Sequence, residues 1–449
     1  MKKTTGFKIL IFLLLIGIEG YSQELNRGGK ANNKPNVVII YTDDLGYGDL
    51  SSYGNPTLHT PELDKMATQG MKLSQFYVAA PVCTPSRAAL LTGAYPKRVG
   101  LEKGVLFPSS KTGLNPEEKT IAEILKEKDY ATACIGKWHL GYQEKFLPIN
   151  QGFDIFYGIP FSNDMSRKEQ DIYGNKNYKW QLPLMSQKDT IELDPNQQYL
   201  TKRLTHKAVD FIKKNKSTPF FLYLAHPMPH IPLYASEKFQ NTSVRGKYGD
   251  TVEEIDWSVG EVLKTLKKYD LERNTLVIFT SDNGPWKVFK TDGGSAGPLR
   301  GGKGTTWEGG TRVPCIAWWP GKIPSGSFQT KVITNMDLLP TIANLCGADL
   351  PKKDIDGVDI SSALFGEKQN EESKPFLYYS SKGELQGIRK GKYKLLIIEG
   401  DTFLFDLESD ISEAYNISES QPEKIIELKK IMTELDANLN LNKREVGKI

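Results

Sequence analysis

Four short runs of consecutive apolar residues constrain this chain most. They are residues 36–41 (NVVIIY), 130–135 (YATACI), 220–225 (FFLYLA) and 276–280 (LVIFT). A strand with one wet face alternates apolar and polar residues. A strand that is apolar throughout needs cover on both faces, as in a parallel sheet flanked by helices. Between the runs lie patterns of helical period: Ile121, Ile124 and Leu125 after Pro116; Leu204, Ala208, Phe211 and Ile212; and Ile255, Val259, Val262, Leu263 and Leu266. The last opens on an apparent capping box, Thr251 with Glu254. Strand and helix in alternation predict an α/β fold: a large, mostly parallel sheet sandwiched by helices.

Past residue 365 the texture changes. Segments 376–380, 386–389, 393–398 and 402–406 are short and split by Gly-containing turns, which reads as an antiparallel meander. A helix comes next, from about Glu423 to Leu435. The expected organisation is a large domain over 35–365 and a smaller antiparallel sheet plus helix over 366–449.

The first 22 residues stand apart. Lys2, Lys3 and Lys8 precede an apolar stretch over 9–18, and Gly20 and Ser22 come after it. This reads as a signal peptide over 1–22, cleaved near Ser22, so the expected location is periplasmic or secreted. The apolar stretch is short for a bilayer span, which needs about 20 residues, so no stable membrane insertion is expected after cleavage. Outside the cytoplasm disulfides are allowed, yet the chain has only Cys83, Cys134, Cys315 and Cys346, too few for a disulfide scaffold. With 58 basic and 54 acidic residues the net charge is +4, too even to imply a nucleic-acid partner.

The residues immediately after each apolar run are more informative. Asp43-Asp44 succeed the first, Gly136-Lys137-Trp138-His139 the second, His226 to His230 the third, and Asp282-Asn283-Gly284 the fourth. In open α/β sheets, sites form beyond the carboxyl ends of the strands. Three carboxylates and an amide there make a hard, all-oxygen site suited to Ca²⁺ or Mg²⁺ rather than zinc. A fifth segment, Cys83-Thr84-Pro85-Ser86-Arg87, has Thr84 as a good N-cap and Pro85 as a good first helical residue. That places Cys83 just before a helix start with Arg87 one turn inside, an anion site.

Residues 83–93 (CTPSRAALLTG) resemble the signature of the type I, formylglycine-dependent sulfatases of the alkaline phosphatase superfamily. Segments 42–50, 136–141, 281–284, 299–310 and 404–408 are similar to that family too, most of all to its arylsulfatase A and N-acetylgalactosamine-6-sulfatase branch. The resemblance implies an alkaline-phosphatase-like sheet. It implies that Cys83 is converted to 3-oxoalanine (Cα-formylglycine) by a separate formylglycine-generating enzyme. Asp43, Asp44, Asp282 and Asn283 would be Ca²⁺ ligands, with Mg²⁺ as the second choice. Arg87, Lys137 and His139 would surround the nucleophile, and His230 and Lys303 would bind sulfate. Ser162, His226 and Arg300 are assigned to substrate binding, although His226 lacks a firm counterpart in the family.

The implied reaction is hydrolysis of a sulfate monoester: in-line attack on sulfur, protonation of the leaving alcohol by His230 or Lys303, and proton acceptance by His139. The implied substrate is a sulfated carbohydrate, galactose or N-acetylgalactosamine sulfate being favoured. The competing reading is a phosphomonoesterase or phosphodiesterase on the same sheet. Those enzymes use Ser or Thr nucleophiles and usually two metals, against one hard site and a Cys here. Trp138, Trp286 and Trp307 lie near site segments and suit either a sugar platform or a core. His59 and His206 read as ordinary surface or helix residues.

Overall fold

The computed structural model describes residues 34–449 apart from 173, 176 and 368–372. The signal peptide expected over 1–22 lies outside the described residues. Strands of the main sheet, in chain order, are β1 (Asn36–Thr42), β2 (Met71–Leu73), β3 (Ala131–Lys137), β4 (Ile155–Ile159), β5 (Pro183–Ser186), β6 (Asp189–Leu193), β7 (Phe220–Ala225), β8 (Thr275–Ser281), β9 (Cys315–Trp318) and β10 (Ser327–Gln329). Their spatial order is β10-β2-β9-β8-β1-β7-β3-β4-β5-β6. The five central strands, β8-β1-β7-β3-β4, run parallel, and antiparallel pairs join them to the flanks.

Both faces of these central strands are covered, as the apolar runs require. Val37, Ile39 and Tyr41 enter one core with helices α2 (Cys83–Thr92), α3 (Ile121–Lys126) and α6 (Leu338–Cys346). Val38 and Ile40 enter the other core with α1 (Pro61–Gln69), α4 (Leu200–Lys214) and α5 (Gly246–Lys268). The side-chain alternation of a strand thus feeds two hydrophobic layers.

Register then fixes where the chemistry sits. Thr42 pairs with Ser281, Tyr41 and Gly136 both with Ala225, and Lys137 with Ile159. The residues just beyond β1, β7, β8 and β3 therefore emerge along one edge of the sheet.

Three local expectations are corrected. Strand β3 continues through Lys137, because Gly136 and Lys137 still pair with β4, so Lys137 is a buried strand residue. Helix α5 begins at Gly246, so Thr251 and Glu254 lie inside it. The Thr251 hydroxyl bonds the Lys247 carbonyl, and Glu254 takes the Ser236 N–H. A true capping box opens α3 instead, between Thr120 and Glu123. Helix α2 includes Cys83 in its first turn with Val82 as N-cap. Thr84 is not the cap: its hydroxyl donates to the His139 carbonyl and accepts from Leu106 N–H.

The C-terminal meander forms as expected: β11 (Phe376–Tyr379), β12 (Leu385–Lys390), β13 (Tyr393–Ile398) and β14 (Asp401–Asp406), antiparallel in sequential order. Helix α7 (Pro422–Leu441) places Leu428, Met432 and Leu439 against this sheet, in a core that also takes in Tyr77, Ala89 and Tyr95. The sheet is thereby held behind α2.

Candidate active site

Asp43 and Asp44 leave the end of β1, and Asp282 and Asn283 the end of β8. Asp44 adopts φ 64°, a left-handed turn that Asp tolerates. That turn points its N–H at Asp282 Oδ1, 3.1 Å away. Gly284 lets the β8 loop pass its neighbour, since a Cβ there would sit 1.7 Å from the Gly309 carbonyl oxygen. Asp43 N–H donates to the Met228 carbonyl at 3.2 Å, which ties the proline-rich loop after β7 to the same edge.

Cys83 arrives from the first turn of α2, and its thiol lies 3.4 Å from Asp43 Oδ1. Arg87, one turn on, reaches Asp282 Oδ2 with Nε at 3.0 Å and Nη2 at 2.7 Å. Its Nη1 donates to the Lys137 carbonyl at 3.0 Å, and Tyr41 lies beneath it with 5.5 Å from ring centroid to guanidinium carbon. The Lys137 ammonium bridges Asp43 Oδ2 and Ser162 Oγ, the latter at 3.0 Å. Lys303 pairs with Asp44 Oδ1 at 2.7 Å, and His230 Nε2 stands 3.7 Å from Asp44 Oδ2. Asp43, Asp44, Cys83 and His230 each bring one ligand atom within 4.8 Å of the others.

Burial and charge together set the protonation states. Burial alone would raise the Asp43 carboxyl, but Lys137, His230, Arg87 and Lys303 outweigh it and hold Asp43 well below the usual carboxylate range. Asp282 is pushed up to about 7, by burial first and the Asp43 charge second. Burial and the charge of Asp43 push the Cys83 thiol up, so the unmodified residue is no ready thiolate. Burial, then Lys137 and Arg87, push His139 well below its ordinary value, so it is neutral.

His139 Nε2 faces the Leu106 carbonyl at 3.0 Å, an acceptor only, so that nitrogen carries the proton. Its Nδ1 is buried and meets no partner, an acceptor kept free.

The oxygens of Asp43, Asp44, Asp282 and Asn283 fit a hard divalent cation. In particular, Asn283 Oδ1 is buried without a hydrogen-bond partner, although the same amide's nitrogen bonds Asp44. An orphaned carbonyl oxygen beside three carboxylates is a donor in need of a cation.

Not every residue singled out in the sequence comes to this cluster. His226 is fully buried, with Nε2 against Ser258 Oγ at 3.0 Å on α5, and burial alone acts on its basicity, with no cluster charge. Its Nε2 thus faces α5 rather than the Asp43–Asp282 cluster. Arg300 is exposed, donates to the Glu413 carbonyl and lies over the Trp307 ring at 3.6 Å, which ties it to the C-terminal segment. Trp307 itself packs on Phe403 and Phe405, and Trp138 is a core residue whose Nε1 donates to the Phe146 carbonyl. Trp286 alone of the three borders the site, 5.3 Å from the His230 ring and 4.4 Å from the Lys303 ammonium. His59 is exposed and His206 sits on α4 beside Trp257. All four cysteines are buried free thiols.

Sequence reasoning missed the layer beneath Arg87. The Tyr41 hydroxyl meets Ser86 Oγ at 3.1 Å, Asn335 holds the Ser86 carbonyl at 3.0 Å, and Tyr223 reaches Arg87 at 3.4 Å. The only signal for it was a pair of tyrosines inside otherwise apolar strands.

A helix N-terminus, three buried cations and a cation-ready oxygen cluster define a hydrolase for strongly anionic esters. Residues 35–348 match the Sulfatase family, and residues 302–443 match the C-terminal N-sulphoglucosamine sulphohydrolase family. Human arylsulfatase A is 38% identical over 92% of this chain and 90% of its own length. Dog N-acetylgalactosamine-6-sulfatase is 39% identical over 87% of this chain and 75% of its own. The crystal structure of the PsFucS1 sulfatase from Pseudoalteromonas sp. superposes with a TM-score of 0.84, at 30% identity over 92% of each chain. The chain belongs to the sulfatase family and is a sulfuric ester hydrolase. Membership implies a metal ion and a formylglycine.

Proposed function

We propose that the protein is a periplasmic or secreted sulfatase acting on a sulfated glycan, with galactose or N-acetylgalactosamine sulfate the favoured unit. The observation that carries the reading is the position of Cys83. It is buried in the first turn of α2, its thiol against Asp43, with Arg87 one turn on and Lys137 bonded to the same Asp43. The name of the N-acetylgalactosamine-6-sulfatase relative supports the sugar class.

Asp43, Asp44, Asp282 and Asn283 hold Ca²⁺ in this reading, and Cys83 is matured to formylglycine by a separate enzyme. The cation supplies Lewis acidity toward sulfate oxygens, and the hydrated aldehyde supplies an oxygen nucleophile. The chain's own side chains do the rest. Lys303 and His230, both beside Asp44, hold the sulfate group. Lys137 keeps Asp43 ionised and holds the Ser162 hydroxyl oxygen. His139 Nδ1, bare and buried, accepts a proton at residue 83. His230 and Lys303 stand where the leaving alcohol departs, and each can return a proton to it. Residues 35–365 supply this machinery, and 366–449 form a subdomain that supports α2 from behind.

The test is a panel of sulfated mono- and disaccharides with released sulfate measured, on protein whose Cys83 peptide has been weighed. Maturation lowers that peptide by about 18 Da. Sulfate release from galactose- or N-acetylgalactosamine-type sulfates by matured protein is expected. Matured protein that cleaves only phosphate esters would overturn the reading.

A further inference from the structure

A cleft of about 480 Å³, separate from the Cys83 cluster, has a wall that carries Arg245, Lys290, Thr291, Ser295, Asn55 and Thr57 and no acid. Neither cation has a carboxylate within 4 Å among the described residues. The Nε of Arg245 is buried without a hydrogen-bond partner. Ser295 Oγ accepts from Gly297 N–H, which leaves its hydroxyl proton to donate into the cleft. Asn55 is pinned as wall: its Nδ2 donates to the Gly48 carbonyl at 2.6 Å while its Oδ1 takes the N–H groups of Thr57 and Leu58.

Both walls of the cleft connect to the site along the chain and through hydrogen bonds. Lys290 belongs to the 3₁₀ turn Lys287–Asp292 that starts beside Trp286, the ring against His230 and Lys303. Gly293 closes that turn, since a Cβ there would stand 2.1 Å from the Trp286 carbonyl oxygen. On the other wall, Ser295 N–H donates to Asp49, which also takes the Tyr248 hydroxyl at 2.6 Å and the N–H of Gly46, two residues past Asp44. Lys290 also holds φ 54° and ψ −116°, a backbone that Gly adopts more readily than Lys.

We propose that this cleft is a subsite for a second anionic group of the substrate, a sulfate ester or a uronate carboxylate on a neighbouring sugar, gripped by Arg245 and Lys290. The inference rests on the glycan sulfatase reading above and adds the charge pattern of the glycan. It makes the protein a selector of multiply charged chains over singly sulfated ones.

The experiment separates binding from turnover. In the full-length Cys83→Ala protein, loaded with Ca²⁺, calorimetry compares a monosulfated disaccharide with the same disaccharide carrying a second sulfate, and with one carrying a uronate. The doubly charged ligands should bind roughly 10-fold more tightly at low salt, the gap closing as salt rises. Arg245→Ala and Lys290→Gly should each shrink the gap about 3- to 10-fold while leaving the monosulfated ligand unchanged. Lys290→Gly suits the left-handed backbone and guards against a folding artefact. Whichever anion shows the larger gap identifies its source. Equal affinity for singly and doubly charged ligands, or variants that weaken all ligands alike, would overturn the subsite and leave the sulfatase reading standing. Failure of that reading would show instead as no sulfate released from any sugar by the matured wild type.

Discussion

Asn283 turns its side-chain nitrogen toward Asp44 Oδ1 at 2.7 Å, and its own carbonyl oxygen is left buried with no donor. A bound cation would supply the partner this oxygen lacks. Asn283 Oδ1 and the carboxylates of Asp43, Asp44 and Asp282 would hold it. One Ca²⁺ per chain is therefore expected by elemental analysis. Saturating Ca²⁺ at a hundred times its dissociation constant should add about 2.7 kcal/mol of stability over protein in chelator. Asn283→Ala should lower the Ca²⁺ affinity at least ~10-fold with the fold retained. Stoichiometric zinc, or an active protein without any divalent ion, contradicts this assignment.

Cys83 contributes little core volume but stands at the focus of Asp43, Lys137 and Lys303. Cys83→Ala should abolish sulfate release while circular dichroism and the thermal midpoint stay near wild type. Cys83→Ser should fail as well in a host whose maturation enzyme oxidises cysteine. Measurable turnover by purified Cys83→Ala protein would remove the residue from the mechanism.

The parallel sheet was legible because β1, β7 and β8 are apolar on both faces, and nothing else satisfies such runs. The convergence of Asp43, Asp44, Asp282 and Asn283 was legible because they come directly after two of those runs. His226, too, sits at a strand end. Only packing shows that its ring turns into the layer of α5, toward Ser258. Thr251 and Glu254 carry the right spacing for a cap, but spacing cannot reveal that the helix already began at Gly246. The tyrosines under Arg87 were hidden because a Tyr in a strand looks the same whether its hydroxyl is orphaned or paired.

His226 is buried and burial pushes it down to about 3, against about 6.5 in an unfolded chain. Below pH 6.5 the unfolded chain takes up a proton that the folded protein refuses. Stability from this residue is therefore present at neutral pH and falls as pH drops from about 6.5 toward 3, at up to ~1.4 kcal/mol per pH unit. Urea midpoints measured between pH 7.5 and 5 should decline less steeply in His226→Asn than in wild type. Identical slopes would mean His226 is not held neutral.

Lys394 lies fully buried between Glu308 at 2.9 Å and Glu413 at 2.8 Å, and so joins β13 to the segment just past Lys303. Burial opposes the charge on Glu308, yet Lys394, Arg312 and Arg389 together lower its carboxyl to about 2. Lys394→Met should therefore cost about 3–5 kcal/mol, the usual penalty for stranding a buried charge. Lys394→Met combined with Glu413→Gln should recover part of that loss. A single variant as stable as wild type would show that the network is not needed.

His230 offers the sharpest test of the proton inventory. Its Nδ1 bonds the Ile231 carbonyl, an acceptor, so the proton of the neutral ring is on Nδ1. To donate from Nε2 the ring must be an imidazolium. Burial and Lys303 resist that state, whereas Asp44 and Asp43 favour it, and the balance lies below the ordinary value. A bound sulfate ester adds negative charge nearby and shifts the balance back toward the acid form. If His230 is the acid, its loss must hurt most where the departing oxygen most needs a proton. A sugar alkoxide is a poor leaving group and 4-nitrophenolate a good one. His230→Ala should lower turnover of a sulfated sugar by roughly 10²–10⁴-fold and turnover of 4-nitrophenyl sulfate clearly less. The wild-type rate on the sugar should also fall as pH rises past the point where the imidazolium is lost, a limb that His230→Ala should lack. Equal losses on both substrates would reduce His230 to a sulfate-binding residue and leave Lys303, 2.7 Å from Asp44, as the group that protonates the alcohol.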